Sequence, residues 1–444
     1  MTDTYDLFIK NGDVVFPNNR TERVNIGVKS SLISIITTKN NIDAKKIIDA
    51  KNLTIIPGAI DSQVHFREPG DIHKEDLESG SKSAVLGGIT TVFEMPNTSP
   101  PTSTPKLLKE KLKLAKNRMW TNYAFFAGAT LENIDLIEKL ELMPGCSGIK
   151  IFMGSSTGNL LIPDDDTLTK IFKKGHRRMA IHAEDENRLQ ERKKLIKENH
   201  NSSFHPIWRD EYCSINATNR IISMIRKIKR PVHILHVTTS EEIDLIKEHK
   251  DFITLEVTPQ HLTLSSPECY EKLGSLAQMN PPIRSIKHQR ALWKGIKEGI
   301  VDVIGSDHAP HTIEEKRKSY PESPSGMPGV QTSLPIMLNH VNNGKLSLYR
   351  LVELMCSNPA KIYNIKNKGL IKLGYDADIT VVDLKKKHVI TNKNIASKCG
   401  WSPFNNKKIT GWPIMTIING KLVMKKGSLL GKPIGSPVSF NHRE

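Results

Sequence analysis

Ile55-Ile56-Pro57-Gly58-Ala59-Ile60-Asp61-Ser62-Gln63-Val64-His65-Phe66-Arg67 is a short apolar run that gives way to polar residues. Such a run, followed by polar residues and then a helical pattern, reads as a buried strand of a parallel sheet. A first strand is therefore expected over 55–60, with residues 61–67 just past its end. Gln63, His65 and Arg67 are spaced by two, so in extended backbone their side chains point to one side. A histidine and an arginine facing one way at a strand end suggest a metal ligand beside an anion clamp. A lone histidine there serves as readily as a structural residue, so the reading depends on the other strand ends.

The same texture recurs along the chain. Apolar runs at 90–94, 122–127, 148–152, 179–182, 233–237, 253–257 and 301–306 alternate with helical stretches such as 79–86 and 240–250. With the first run they number eight, which is what a (β/α)8 barrel requires. A doubly wound open sheet shows a similar alternation. The barrel is preferred because polar residues collect at the C-terminal ends of so many different strands. Both ends of the chain look different. Strand-like segments at 5–10, 24–28, 32–36 and 46–49, with Asn11-Gly12 as a turn, are echoed at 378–383, 415–418 and 421–424 around Asn419-Gly420.

Bulk properties narrow the function classes. Hydrophobic residues at 38% and charged residues at 25% fit a soluble globular chain. No apolar run approaches the roughly 18–20 residues of a membrane span, and the N-terminus lacks the pattern of a signal peptide. Five cysteines, odd in number and without a CxxC pair, read as reduced thiols. A cytoplasmic protein is expected. The net charge of +17 is scattered over Lys-rich helix faces rather than gathered in one patch, so no nucleic-acid partner is expected.

The other strand ends carry matching chemistry. His182 closes the fifth run, His236 the sixth and Asp307 the eighth. Three imidazoles and a carboxylate gathered at one barrel mouth suit Zn2+. Lys150 lies mid-strand between apolar neighbours and should point into the barrel. Burial lowers a lysine pKa and frees a nucleophilic amine. Two readings stay open: a carbamate formed with CO2, able to bridge two cations, or an amine paired with an Asp or Glu.

Taken together, Asp61-x-x-x-His65-Phe-Arg-Glu-Pro-Gly70, Glu94-Met-Pro-Asn97, Gly148-Ile-Lys150, His182-Ala-Glu-Asp185, Met279-Asn-Pro-Pro-Ile-Arg284 and Ser306-Asp-His-Ala-Pro-His311 resemble the dihydroorotases of the amidohydrolase superfamily. Asn358-Pro-Ala360, Gly369-x-Ile371 and Gly374-x-Asp-Ala-Asp378 agree. Residues 148–158 and Cys399-Gly-Trp-Ser-Pro-Phe404 resemble a bacterial branch of that family. The resemblance implies a barrel over 56–364 and one small β-sandwich built from 1–55 and 365–444.

It also implies roles. Lys150 is expected as a carboxylated lysine bridging two zinc ions, with His65 and Asp307 on one ion and His182 and His236 on the other. Arg67, Asn97 and His311 are expected to hold a substrate carboxylate, and Asn280 to contact the pyrimidine ring. The implied reaction is the reversible hydrolysis of dihydroorotate to N-carbamoyl-aspartate in pyrimidine synthesis, with Asp307 as general base and acid. A homodimer, and association with aspartate transcarbamoylase, belong to the same expectation. The loop at 154–159, with Thr157, reads either as a lid over substrate or as an ordinary Gly/Ser-rich connection.

One position departs from the pattern. The superfamily's usual His-x-His after the first strand is Gln63-Val-His65 here, and Gln is a weaker, neutral oxygen ligand. Two rival readings follow. One is a cyclic-amide hydrolase such as an allantoinase or hydantoinase, whose substrates lack the ring carboxylate. The other is a non-catalytic relative bound to aspartate transcarbamoylase, which the retained His65, Lys150, His182, His236 and Asp307 argue against.

Overall fold

The computed structural model describes residues 4–156, 160–196 and 199–442. Eight strands form one sheet in chain order: Ala59–Val64, Ile89–Glu94, Asn122–Gly128, Cys146–Phe152, Met179–His182, Val232–Ile234, Ile253–Val257 and Val303–Ile304. Neighbours pair in parallel. The ring closes where Val64 bridges His308 and the His65 N–H donates to the His308 carbonyl at 2.7 Å. The expected barrel is thus the observed one.

The pleat sorts side chains to two sides of the barrel wall. On Cys146–Phe152, Ile149 and Ile151 face outward and pack with Leu168, Ile171, Ile221 and Ile243 of the helix layer. Lys150 and Phe152 lie on the inner side, where they line a cavity. Short connections re-aim the chain from strand to helix. In Val237-Thr238-Thr239-Ser240, Thr239 caps Ser240–Lys247 and the Glu242 carboxylate accepts the Thr238 and Thr239 N–H groups.

Strands from both ends of the chain share one seven-stranded sheet. In it Thr54–Pro57 lies between Asp13–Phe16 and Ile379–Val389. A four-stranded sheet of N-terminal strands completes this part, with Ile9, Ile26, Ile55, Ile379 and Ile417 in a common core. Asn419-Gly420 makes the expected hairpin between Lys408–Ile418 and Lys421–Lys425. Asn11-Gly12 does not. Leu7–Lys10 and Asp13–Phe16 fall in different sheets, so this turn passes the chain from one layer to the other.

The first barrel strand differs from its expected span. Ile55, Ile56 and Pro57 pair with Ile379–Val381, and the barrel strand begins only at Ala59. The switch occurs at Gly58, where an added Cβ would come within 2.3 Å of Thr90 Oγ1 and 2.9 Å of Asp378 Cβ. Gly58 N–H donates to the Asp378 carbonyl, which ties the crossing point to the terminal sheet. Asp61, Ser62 and Gln63 therefore lie within the strand rather than after it.

Two C-terminal stretches leave the sheets and close the barrel. At the strands' N-terminal end, Tyr123 exchanges backbone hydrogen bonds with Ser436 and Val438, and Phe440 packs on Phe93. At the other end, residues 395–404 run past the loops that follow the strands, with the Trp401 indole N–H on the His311 carbonyl at 2.8 Å. The Ser397 hydroxyl donates to the buried Glu75 carboxylate.

Asp378 joins these parts. Its carboxylate accepts Lys368 Nζ at 2.5 Å, Asn122 Nδ2 at 2.9 Å and the Asn419 N–H at 2.8 Å. Removing one partner of a buried ion pair leaves the other desolvated, at a cost of roughly 3–5 kcal/mol. Lys368 retains Asp376 at 2.8 Å, so Asp378→Ala is expected near the lower end, about 3 kcal/mol. Urea unfolding measures it, and an unchanged midpoint would show that the joint contributes nothing.

Candidate active site

The cavity at the C-terminal ends of the strands is lined by Gln63, His65, Arg67, Asn97, Lys150, Phe152, Ser156, His182, His236, Asn280, Asp307, Ala309, Ser325 and Gly326. Every expected site residue is there except His311, which lies directly behind Arg67, and Thr157, which falls outside the described residues. Three residues here adopt left-handed backbone: Arg67 (φ 62°), His236 (φ 39°) and Asp307 (φ 43°). Such conformations cost of order 1–3 kcal/mol each outside glycine and collect at functional sites. His236 and Asp307 sit just past strands that end earlier than expected, at Ile234 and Ile304.

The potential ligands come as two pairs. His65 Nε2 stands 3.2 Å from Asp307 Oδ1, and His182 Nδ1 stands 3.0 Å from His236 Nε2. Among the described residues, no three His, Cys, Asp or Glu side chains converge as one ready-made cation site. Between the pairs lies Lys150, only 1% exposed, and its Nζ has no hydrogen-bond partner. The amine sits 4.3 Å from the centre of the Phe152 ring. The carboxylate-paired reading of Lys150 therefore fails. Burial pushes the amine down to about 7, against the pull of the Asp307 and Glu256 charges.

Burial also keeps the imidazoles neutral. It lowers His65, His182 and His236, and the nearby Lys150 charge lowers each of them further. Neutral imidazole is the metal-binding form. Their second nitrogens are held in ways that local sequence does not reveal. His65 Nδ1 lies 2.8 Å from Asn97 Oδ1, which can only accept, so Nδ1 carries the proton and Nε2 presents its lone pair. Asn97 thus orients a histidine, a job beyond the expected substrate contact. His182 Nε2 lies 2.9 Å from Glu184 Oε2, which leaves Nδ1 to face His236. Glu184 is held in turn by Arg209 at 2.5 Å and 3.1 Å, both residues at most 2% exposed. The motif His182-Ala-Glu184 carried one available signal, since a residue two beyond a strand-end histidine shares its face. Arg209 carried none.

The wall for an anion is also in place. Arg67 Nε donates to the Pro310 carbonyl at 3.2 Å, which fixes the guanidinium plane, and its terminal nitrogen lies 3.3 Å from His311 Nε2. Burial and the Arg67 and Lys316 charges hold His311 well below the usual imidazole range. Asn280 contributes less directly, with its Oδ1 accepting from His205 Nε2 at 3.0 Å. The loop after Lys150 is anchored at its start. Ser155 bonds Glu186 through N–H and hydroxyl at 2.6 Å and 2.7 Å, and its carbonyl accepts from Arg209.

The donor set fits a divalent cation. Gln63 Oε1, Lys150 Nζ and His236 Nδ1 are buried without hydrogen-bond partners. Two imidazole nitrogens, an imidazole–carboxylate pair and a free amine meet in one cavity. Each group is unsatisfied or paired only with another potential ligand, and that is chemistry a cation completes.

The model described as Amidohydrolase family matches residues 54–423. A protein named dihydroorotase from Pyrococcus furiosus is 37% identical over 95% of this chain and 94% of its own length. Another of that name, from Methanosphaera stadtmanae, is 36% identical over 90% and 93%. Among solved structures, the L-hydantoinase (dihydropyrimidinase) of Arthrobacter aurescens superposes with a TM-score of 0.93 at 30% identity, covering 98% of this chain and 100% of that one. The dihydropyrimidinase of Brevibacillus agri gives 0.89 at 25% identity, covering 96% of each. Metal dependence is general in this family. The chain belongs to the amidohydrolase family, in the company of the proteins named dihydroorotase.

Proposed function

We propose that the chain is a dihydroorotase, interconverting (S)-4,5-dihydroorotate plus water with N-carbamoyl-L-aspartate plus a proton. The observation that carries this reading is the placing of Arg67, with His311 behind it, beside the His65–Asp307 and His182–His236 pairs in one cavity. A ring carboxylate held by an arginine sets the neighbouring cyclic amide over those pairs. An arginine fork matches a carboxylate in shape and charge.

The metal is proposed to be Zn2+; His65, Asp307, His182 and His236 would hold it, together with Lys150 as its carbamate and with Gln63 beside them. A bound divalent cation would lower the pKa of water and polarise the scissile carbonyl. The chain's own residues supply the rest. Arg67 and Asn97 hold the substrate carboxylate and so fix the ring against the Asp307 side of the cavity. The Asp307 carboxylate takes a proton from the attacking water and delivers it to the leaving amide nitrogen, then reverses the transfer for ring closure. Asn97 Oδ1 and Glu184 keep His65 and His182 in the tautomers that leave Nε2 and Nδ1 free for a cation. A cytoplasmic setting, a homodimer and association with aspartate transcarbamoylase are carried by the family resemblance alone.

The fit to hydantoinase structures favours a second reading, hydrolysis of an uncharged cyclic amide. Assaying the purified chain with zinc on carbamoyl-aspartate, dihydroorotate and hydantoin separates the two. Turnover of dihydroorotate in both directions, with hydantoin much poorer, is expected. The reverse preference would sink the dihydroorotase reading. Arg67→Lys keeps the charge and loses the fork. It should raise KM for dihydroorotate about 10–100-fold, the equivalent of one charged hydrogen bond of roughly 1.5–3 kcal/mol, and leave KM for hydantoin unchanged.

Carbamate formation joins the neutral Lys150 amine to CO2 and releases a proton. The amine is pushed down to about 7, so it is protonated and unreactive below that pH and free above it. After stripping of metal and CO2 in acid, recovery of activity should need both zinc and CO2, and at a fixed CO2 pressure should quicken as pH rises through 7. Full recovery with zinc alone in CO2-free buffer would reject the carbamate.

A further inference from the structure

Gln63 is the one residue of the cluster whose two ends do opposite things. Its Nε2 donates to Asp307 Oδ1 at 3.0 Å, and its Oε1 is buried without a hydrogen-bond partner. The orientation is dictated by chemistry. A carboxylate oxygen only accepts, so the amide must turn its NH2 group toward Asp307, and an amide nitrogen has no lone pair to offer a cation. Gln63 therefore draws on the charge of Asp307 Oδ1, the same atom that faces His65 Nε2 at 3.2 Å. A cation on this side shares a carboxylate oxygen that already accepts a hydrogen bond. It gains one imidazole backed by the neutral Asn97 amide, that carboxylate oxygen and at most a neutral amide oxygen.

On the opposite side the two facing nitrogens are paired only with each other. His182 Nδ1 and His236 Nε2 face each other at 3.0 Å, and the His182–Glu184–Arg209 chain fixes the first ring. Outer partners of this kind are worth roughly 10–100-fold in metal affinity. We infer that the two halves of the metal site, with Lys150 between them, are unequal: His182 and His236 hold one ion tightly with the Glu184 carboxylate behind them, while His65 and Asp307 hold a second loosely because Gln63 draws on Asp307 and only a neutral amide stands behind His65. The catalytic cavity then works with one permanent ion and one whose occupancy follows the free metal concentration. The inference rests on the metal assignment above and is independent of which cyclic amide is the substrate.

Titration of the metal-free, bicarbonate-treated full-length chain with zinc chloride against a chromophoric indicator tests it. Atomic emission after gel filtration counts the ions. Two steps are expected, the second weaker by at least about tenfold, the low end of what a charged outer partner adds to metal affinity. Gln63→His, which replaces the neutral amide by an imidazole, should strengthen the second step and leave the first unchanged. Glu184→Gln should weaken the first step about 10–100-fold. Two equal steps in the unaltered chain would overturn the inference by themselves, even if Gln63→His failed to fold. A Glu184→Gln effect confined to the second step would overturn the assignment of the tight half. Absence of any zinc binding would overturn the metal assignment and this inference together. Unequal binding without turnover of dihydroorotate would leave it standing and remove only the substrate reading.

Discussion

A lysine amine with no acceptor lies at the centre of the barrel, and the groups around it are arranged with respect to that fact. The pleat leaves Lys150 no choice, since Ile149 and Ile151 fill the outer layer and the side chain between them must point inward. An uncompensated buried ammonium is costly. The barrel tolerates it by lowering the amine toward 7 and surrounding it with imidazoles that stay neutral. Carboxylates behind the cavity respond in the same way. Burial pushes Asp61 up to about 7 and Glu256 up to about 8. The interior is thus poised near charge neutrality, with Asp307 turned toward the opening. Groups this close to changing charge suit proton transfer and cation binding.

The barrel itself was legible because alternation of apolar runs with helical stretches is a local pattern repeated eight times. The candidate ligands were legible for a related reason: His65, His182, His236 and Asp307 all occur where a strand gives out. What could not be read lies in contacts between distant parts of the chain. Arg209 reaches Glu184 from 25 residues away, and Ser397 reaches Glu75 from 322 residues away. No spacing rule announces either. The first strand was misplaced because Ile55–Ile60 is apolar throughout, and hydropathy cannot show that Gly58 hands it from one sheet to another. Asn97 was assigned to substrate alone because its contact with His65 depends on how two loops close together.

The left-handed residues have a common purpose. Arg67, His236 and Asp307 each follow a barrel strand, where continued extension would carry the side chain up and away from the cavity. The unusual backbone turns it inward. The strain is offset by buried backbone bonds on both sides, such as His65 N–H to the His308 carbonyl and Val237 N–H to the Glu256 carbonyl. Gln63 needs no such device. It lies within its strand and reaches Asp307 directly, so its hydrogen bond is a fixed feature of the barrel wall.

The closing of the barrel by the last part of the chain has a consequence for how the protein comes to life. Residues 395–404 brace the His311 loop through Trp401 and Glu75 through Ser397, while residues 436–440 seal the opposite end against Tyr123 and Phe93. A chain emerging from the ribosome can build all eight strands well before either brace exists. The nascent barrel would then have its ligands in order and its anion wall unsupported. Order in the anion wall thus depends on docking of residues 395–404 as well as on completion of the barrel.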